Sequence, residues 1–173
     1  GEDTPKIMDG YSRYLKHADL SWRPENNLDN LNKMEQIQDN ILKYIECSCI
    51  IAENNRQIRK HASRHDHVVG EYKKFLKKQD LKWSAGADLH NLDTLIAIQN
   101  KTQEFLSRRD SIELNHTRIE RRGKDYDVLK EAYHKYIKDA DMDWTPDVNL
   151  EKLDSILAVQ NRTLEFISLR NRI

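Results

Sequence analysis

Apolar residues along this chain recur in steps of three and four, and nowhere in strict alternation. Three short stripes stand out: Tyr11, Tyr14, Leu15 and Ala18; Tyr72, Phe75 and Leu76; Tyr133, Tyr136, Ile137 and Ala140. Each fits the i, i+3, i+4, i+7 face of an amphipathic helix. Longer series follow, through Leu28, Leu31, Met34, Ile41 and Ile45, and through Leu89, Leu92, Leu95, Ile98 and Phe105. Thinner stripes at heptad-like steps, Ile58, Ala62, Val69 to Tyr72 and Ile112, Ile119, Tyr126 to Tyr133, run from each long series into the next short one. Period-two alternation and β-branched runs are missing, so the pattern predicts an all-α chain, an antiparallel helical bundle or helical repeat array.

The stripes recur because the sequence repeats. Trp22, Trp83 and Trp144 are spaced by 61 residues, as are Tyr11, Tyr72 and Tyr133. On that offset, residues 72–112 match residues 133–173 at 17 of 41 positions, and residues 11–51 follow more loosely. Three approximate copies result, about residues 7–67, 68–128 and 129–173, forming one elongated helical unit whose last copy stops part-way. An incomplete copy is what a fragment of a longer array, or an atypical terminal unit, would show. The absence of an initiator Met before Gly1 points to trimming of the N-terminus.

Each copy reads as a helical hairpin. A first arm, about residues 7–20 in copy one, ends in lysines that suit the negative end of the helix dipole. An Asp-x-x-Trp segment then enters a turn, Arg23-Pro24-Glu25-Asn26, Ser84-Ala85-Gly86-Ala87 or Thr145-Pro146-Asp147-Val148. Asn27, Asp88 and Asn149 precede the second arm as N-caps. With no proline between Pro24 and Pro146, a second arm could run unbroken into the next first arm, giving helices of up to about 55 residues and roughly 80 Å. A break near His61–His67 or at Gly123 is the alternative.

The recurring polar and aromatic residues invite structural roles first. Each indole is expected to fold over its own hairpin apex, Trp22 covering Leu28 and Leu31. Asp19, Asp80 and Asp141 are expected to accept from free amides of the turn, since none has a partner acid or His at a repeating offset. Gln38, Gln99 and Gln160 recur on the apolar face, where an amide needs a partner. Counting back from the turn, they meet Tyr11, Tyr72 and Tyr133, and the Tyr–Gln pairs would set the hairpin register.

Composition narrows the function. Only 38% of residues are hydrophobic and 34% are charged, which suits a thin core under a large surface. Lys and Arg number 29, as do Asp and Glu, so no net field attracts nucleic acid or an anionic membrane. The basic clusters Arg56, Arg59, Lys60, Arg64 and Arg118, Arg121, Arg122, Lys124 have acids nearby and read as solvated helix faces. No apolar run approaches a membrane span. Cys47 and Cys49, two apart on a helix, cannot bridge each other and suit a reducing compartment. The sequons at Asn100, Asn115 and Asn161 lie inside predicted helices, poor places for glycans.

The one cluster with metal-ligand spacing is His61-x-x-x-His65 with Asp66 and His67, although the aligned positions in copy two, Arg122, Tyr126, Asp127 and Val128, do not preserve it. Phosphate loops, nucleophile elbows and recurring acid pairs are missing. The sequence therefore points to a non-catalytic helical repeat module, a scaffold or spacer for a protein partner or for self-association, with no cofactor and no catalytic or metal residue assigned. The alternative is a metal-binding helical bundle using His61–His67.

Overall fold

A computed structural model describes residues 4–25, 28–83 and 89–173. Among the described residues six helices follow one another: α1 (Thr4–His17), α2 (Asp29–Arg59), α3 (Asp66–Lys77), α4 (His90–Arg122), α5 (Asp127–Asp139) and α6 (Leu150–Arg170). No strand occurs among the described residues. Acids open α2, α3, α5 and α6, and bases close α1, α3, α5 and α6, so charge matches both ends of the helix dipole. Asn149 caps α6 by accepting from the Glu151 amide at 3.0 Å. The other expected caps, Asn27 and Asp88, and the turn Ser84–Ala87 lie outside the described residues.

The helices of about 55 residues do not form. The chain breaks twice, at His61–His65 and at Gly123–Tyr126. At the second break the Gly123 amide bonds to the Ile119 carbonyl at 2.8 Å, and a Cβ on Gly123 would itself stand 2.8 Å from that oxygen. Only glycine closes the turn there without displacing backbone. At the first break, i+3 bonds from His61 to Ile58 and from Ala62 to Arg59 tighten the end of α2, and α3 restarts at Asp66.

Two compact units divide the chain. The first comprises residues 1–57 and 78–99; its core holds Ile7, Met34, Ile41, Tyr44, Ile51, Leu92 and Leu95. Here Cys47 faces Asp93 and Asn54 bonds to Gln99, so α2 and the start of α4 run in the same direction. The second unit comprises residues 58–77 and 100–173. Arg108 pairs with Asp154 and Asn115 with Asn161, so α4 and α6 are also parallel, while α5 returns antiparallel along α6 through Tyr126–Asn171 and Tyr133–Gln160. Ile119, Tyr133 and Ile167 are buried together where α4, α5 and α6 meet.

The glutamines stitch these layers. Gln99 donates to the Ile51 carbonyl at 3.1 Å, and Gln160 donates to the Ile112 carbonyl at 3.0 Å, the same contact displaced by 61 residues. The Tyr–Gln bond is present for Tyr11 with Gln38, 2.9 Å, and for Tyr133 with Gln160, 3.1 Å. The third pair, Tyr72 and Gln99, is divided between the two units. Gln99 and Gln160 are fully buried, so these bonds keep amides out of water without leaving their donors unpaired. Among the described residues no helix is long and apolar enough to cross a membrane.

Candidate functional site

The Asp-x-x-Trp turns share one geometry. Asp19 accepts from the Ser21 amide at 3.1 Å, Asp80 from the Lys82 amide at 3.1 Å, and Asp141 from the Asp143 amide at 3.0 Å. This Asx turn needs only a carboxylate and an amide two residues on, so each sequence copy builds it locally. It presents an indole three residues after the Asp.

What each indole meets differs from the expectation that it seals its own hairpin. Trp22 is 78% exposed, and Leu28 and Leu31 are exposed as well, so no plug forms in copy one. Trp144 is only 5% exposed, but it is seated on α3. Its ring meets Tyr72 and Phe75 edge-on, each at a centroid distance of 5.9 Å, a favoured aromatic geometry. Its Nε1–H donates to Thr102 Oγ1 at 3.0 Å. Arg109 Nη1 donates to the Met142 carbonyl at 2.7 Å and so fixes the backbone just before the indole. The indole of one sequence copy is therefore held by the first arm of the preceding copy, which is why hairpin reasoning missed its partners.

In the other unit, half-buried Trp83 lies against α1, where a Cβ on Gly10 would come within 3.1 Å of the ring. The seat is poorer in polar groups. Residue 41, which is 61 positions before Thr102, is Ile41, and residue 48, matching Arg109, is Ser48. Trp83 Nε1 is buried without a hydrogen-bond partner among the described residues. A buried unpaired N–H costs about 1–3 kcal/mol.

A third seat lies along α5 and α6. Its residues Tyr133, Tyr136, Thr163 and Arg170 stand 61 positions after Tyr72, Phe75, Thr102 and Arg109, and all four line one groove of about 1030 Å³. Phe166 in this groove is 52% exposed, whereas its counterparts Phe105 and Tyr44 are 2% and 3% exposed. This seat is open.

The histidine cluster is rearranged from its sequence reading. His61 and His65 lie in the turn between α2 and α3, Asp66 opens α3, and His67 is exposed. Asp110 and Glu113 of α4, unforeseen from sequence, complete the group. The fully buried His65 places Nε2 2.7 Å from Asp110 Oδ1 and Nδ1 3.9 Å from Glu113 Oε1. Asp110 also takes Arg64 at 3.2 Å, and His61 Nδ1 stands 3.6 Å away. Because a carboxylate only accepts, the bond to Asp110 makes Nε2 of His65 the donor, and Nδ1 faces Glu113. Neither His61 Nδ1 nor His65 Nδ1 has a hydrogen-bond partner among the described residues. Burial lowers the His61 pKa, with the Asp110 charge opposing, and so favours the neutral ring.

The remaining chemistry is quiet. Burial first, then the Asp93 carboxylate, pushes the Cys47 thiol up and away from the reactive thiolate; Cys49 is exposed and free. Thr102, the last residue of one sequon, is fully buried and accepts a hydrogen bond from the indole N–H of Trp144. Compared with protein-family models, with curated proteins and with solved structures, the chain matches none.

The copy-one seat yields a direct expectation. Thr and Val have nearly the same shape, and at an ordinary buried site Thr is the less stable of the two. If position 41 faces Trp83 as Thr102 faces Trp144, a hydroxyl there accepts from the orphaned Trp83 N–H, so Ile41→Thr should equal or exceed Ile41→Val in stability, by up to about 1 kcal/mol. Urea denaturation of both variants checks this; Ile41→Thr well below Ile41→Val would contradict the proposed equivalence of the seats.

Proposed function

We propose that this chain is a non-catalytic helical repeat scaffold that binds protein segments by seating a tryptophan-bearing turn in an aromatic groove. The observation that carries this reading is the seat of Trp144. Two aromatic walls, a threonine acceptor and an arginine on the backbone carbonyl together recognise an indole and the turn that carries it. The open groove with the same residue types along α5 and α6 supports a surface for such a turn. Tryptophan is enriched among binding hot spots, which sit in well-packed pockets near the centre of an interface. Neutral charge and the absence of a recurring acid–base or nucleophile set agree with binding in place of turnover.

Selection of displayed random peptides on the immobilised chain tests this. Tryptophan-containing peptides should emerge, and their binding should fall when Tyr136→Glu closes the groove. Peptides without aromatic residues, or binding indifferent to Tyr136, would overturn the reading.

A divalent cation at His65 and Glu113 is a second reading, favoured by the buried Nδ1 of His65, which faces Glu113 and has no hydrogen-bond partner among the described residues. Asp110 on the far nitrogen would orient the ring in the manner of carboxylate–histidine metal sites. Two ligands fall short of the closed set of a structural zinc site, and Arg64 already shares Asp110. Under this reading, added zinc raises the melting temperature of the wild type but not of Glu113→Gln. No zinc-dependent shift in the wild type removes it.

A further inference from the structure

We propose that the occupant of the open groove is the Trp22 turn of a second copy of this chain, so that chains associate head to tail. The proposal rests on the groove reading above and names its partner. Three observations meet in it.

The first is a preformed knob. The Asx turn of Asp19 repeats the geometry of Asp80 and Asp141, and it holds Trp22 ready in the arrangement that Trp83 and Trp144 use to reach their seats. Trp22 is 78% exposed, with Leu20 and Leu28 exposed beside it. An indole with apolar neighbours in water is an unusual surface for a protein with so little apolar residue to spare.

The second is a matched seat. Tyr133 and Tyr136 stand for the ring walls Tyr72 and Phe75, Thr163 for the indole acceptor Thr102, and Arg170 for Arg109. The seat that holds Trp83, by contrast, lacks both the threonine and the arginine, with Ile41 and Ser48 in their places. The open groove thus carries the full polar set, including an acceptor for an indole N–H and a donor for the carbonyl of Leu20, the counterpart of Met142.

The third is complementarity of exposure. Among the described residues Trp22 is the one indole left in water, and the α5–α6 groove is the one seat whose floor aromatic, Phe166, is exposed. Because knob and seat are different surfaces, the contact is heterologous and does not close on itself as a two-fold dimer would. Successive chains would continue the stacking relation that joins Trp144 to α3.

Sedimentation velocity of the 173-residue chain over a wide concentration range reads this out. Association beyond a dimer is expected for the wild type. Trp22→Ala, at a site that contributes nothing to either core, should weaken it about 30-fold or more, the weight of a central tryptophan. Tyr136→Glu should do the same, and Arg170→Glu, on an exposed side chain, serves where Tyr136→Glu unfolds by circular dichroism. A mixture of Trp22→Ala and Tyr136→Glu chains retains one good knob and one good seat, so it should stop at a one-to-one complex. A wild type that stays monomeric, a Trp22→Ala chain that associates like the wild type, or a mixture with no complex would overturn the proposal. Selected tryptophan peptides that bind a monomeric chain would remove self-assembly while leaving the groove reading intact.

Discussion

Burying an indole is the constraint on which the second unit depends. The ring removes a large apolar area from water, yet its N–H must keep an acceptor or forfeit much of that gain. At Trp144 both demands are met by residues from separate elements: Tyr72 and Phe75 on α3, Thr102 and Arg109 on α4. One side chain therefore ties the turn before α6 to two helices at once. The three indoles form a graded series. Trp144 has walls and acceptor, Trp83 lies against Gly10 with no acceptor among the described residues, and Trp22 stands exposed to water.

A second, polar set of contacts fixes how the long helices slide against each other. The buried amides of Gln99 and Gln160 reach the carbonyls of Ile51 and Ile112, each 48 residues back. Asn54, His65 and Asn115 find partners 45 or 46 residues ahead. A nearly constant separation is the mark of parallel packing, and a register slip by one residue would strand several buried polar groups at once. These bonds contribute specificity more than net stability, as polar residues in a helical seam do. Differences between the layers are informative. Gln99 receives Asn54 on its Oε1, whereas Asn115, the matching residue, turns to Asn161 and leaves Gln160 Oε1 without a partner among the described residues.

Local features were legible in the sequence and long-range ones were not. The helices follow from three- and four-residue apolar steps, and the Asp turns need only a carboxylate and an amide two residues on. The Tyr–Gln bonds could be found by counting back from a turn, because an antiparallel hairpin has only one free parameter. The seats of the indoles escaped that reasoning because it assumed each hairpin closes on itself. Trp144 instead reaches Tyr72, in the preceding sequence copy. Asp110 escaped for a related reason: it faces His65 across 45 residues, a separation set by helix-to-helix packing that no local motif encodes. The signal that could have found both is the repeat itself, since a residue conspicuous in every copy without a partner inside its own hairpin has its partner in the neighbouring one. The breaks at His61–His65 and Gly123 were readable only as alternatives, because the apolar stripe continues through them while the backbone does not.

Fluorescence of three chains, each retaining a single tryptophan with the other two replaced by phenylalanine, tests the indole-seat account most directly. Measured at a dilution where the chains are separate, Trp144 should emit furthest to the blue and resist acrylamide quenching, Trp83 should be intermediate, and Trp22 should emit as in water and quench freely. Three indoles with the same emission and the same quenching, or a shielded Trp22 beside an open Trp144, would contradict it.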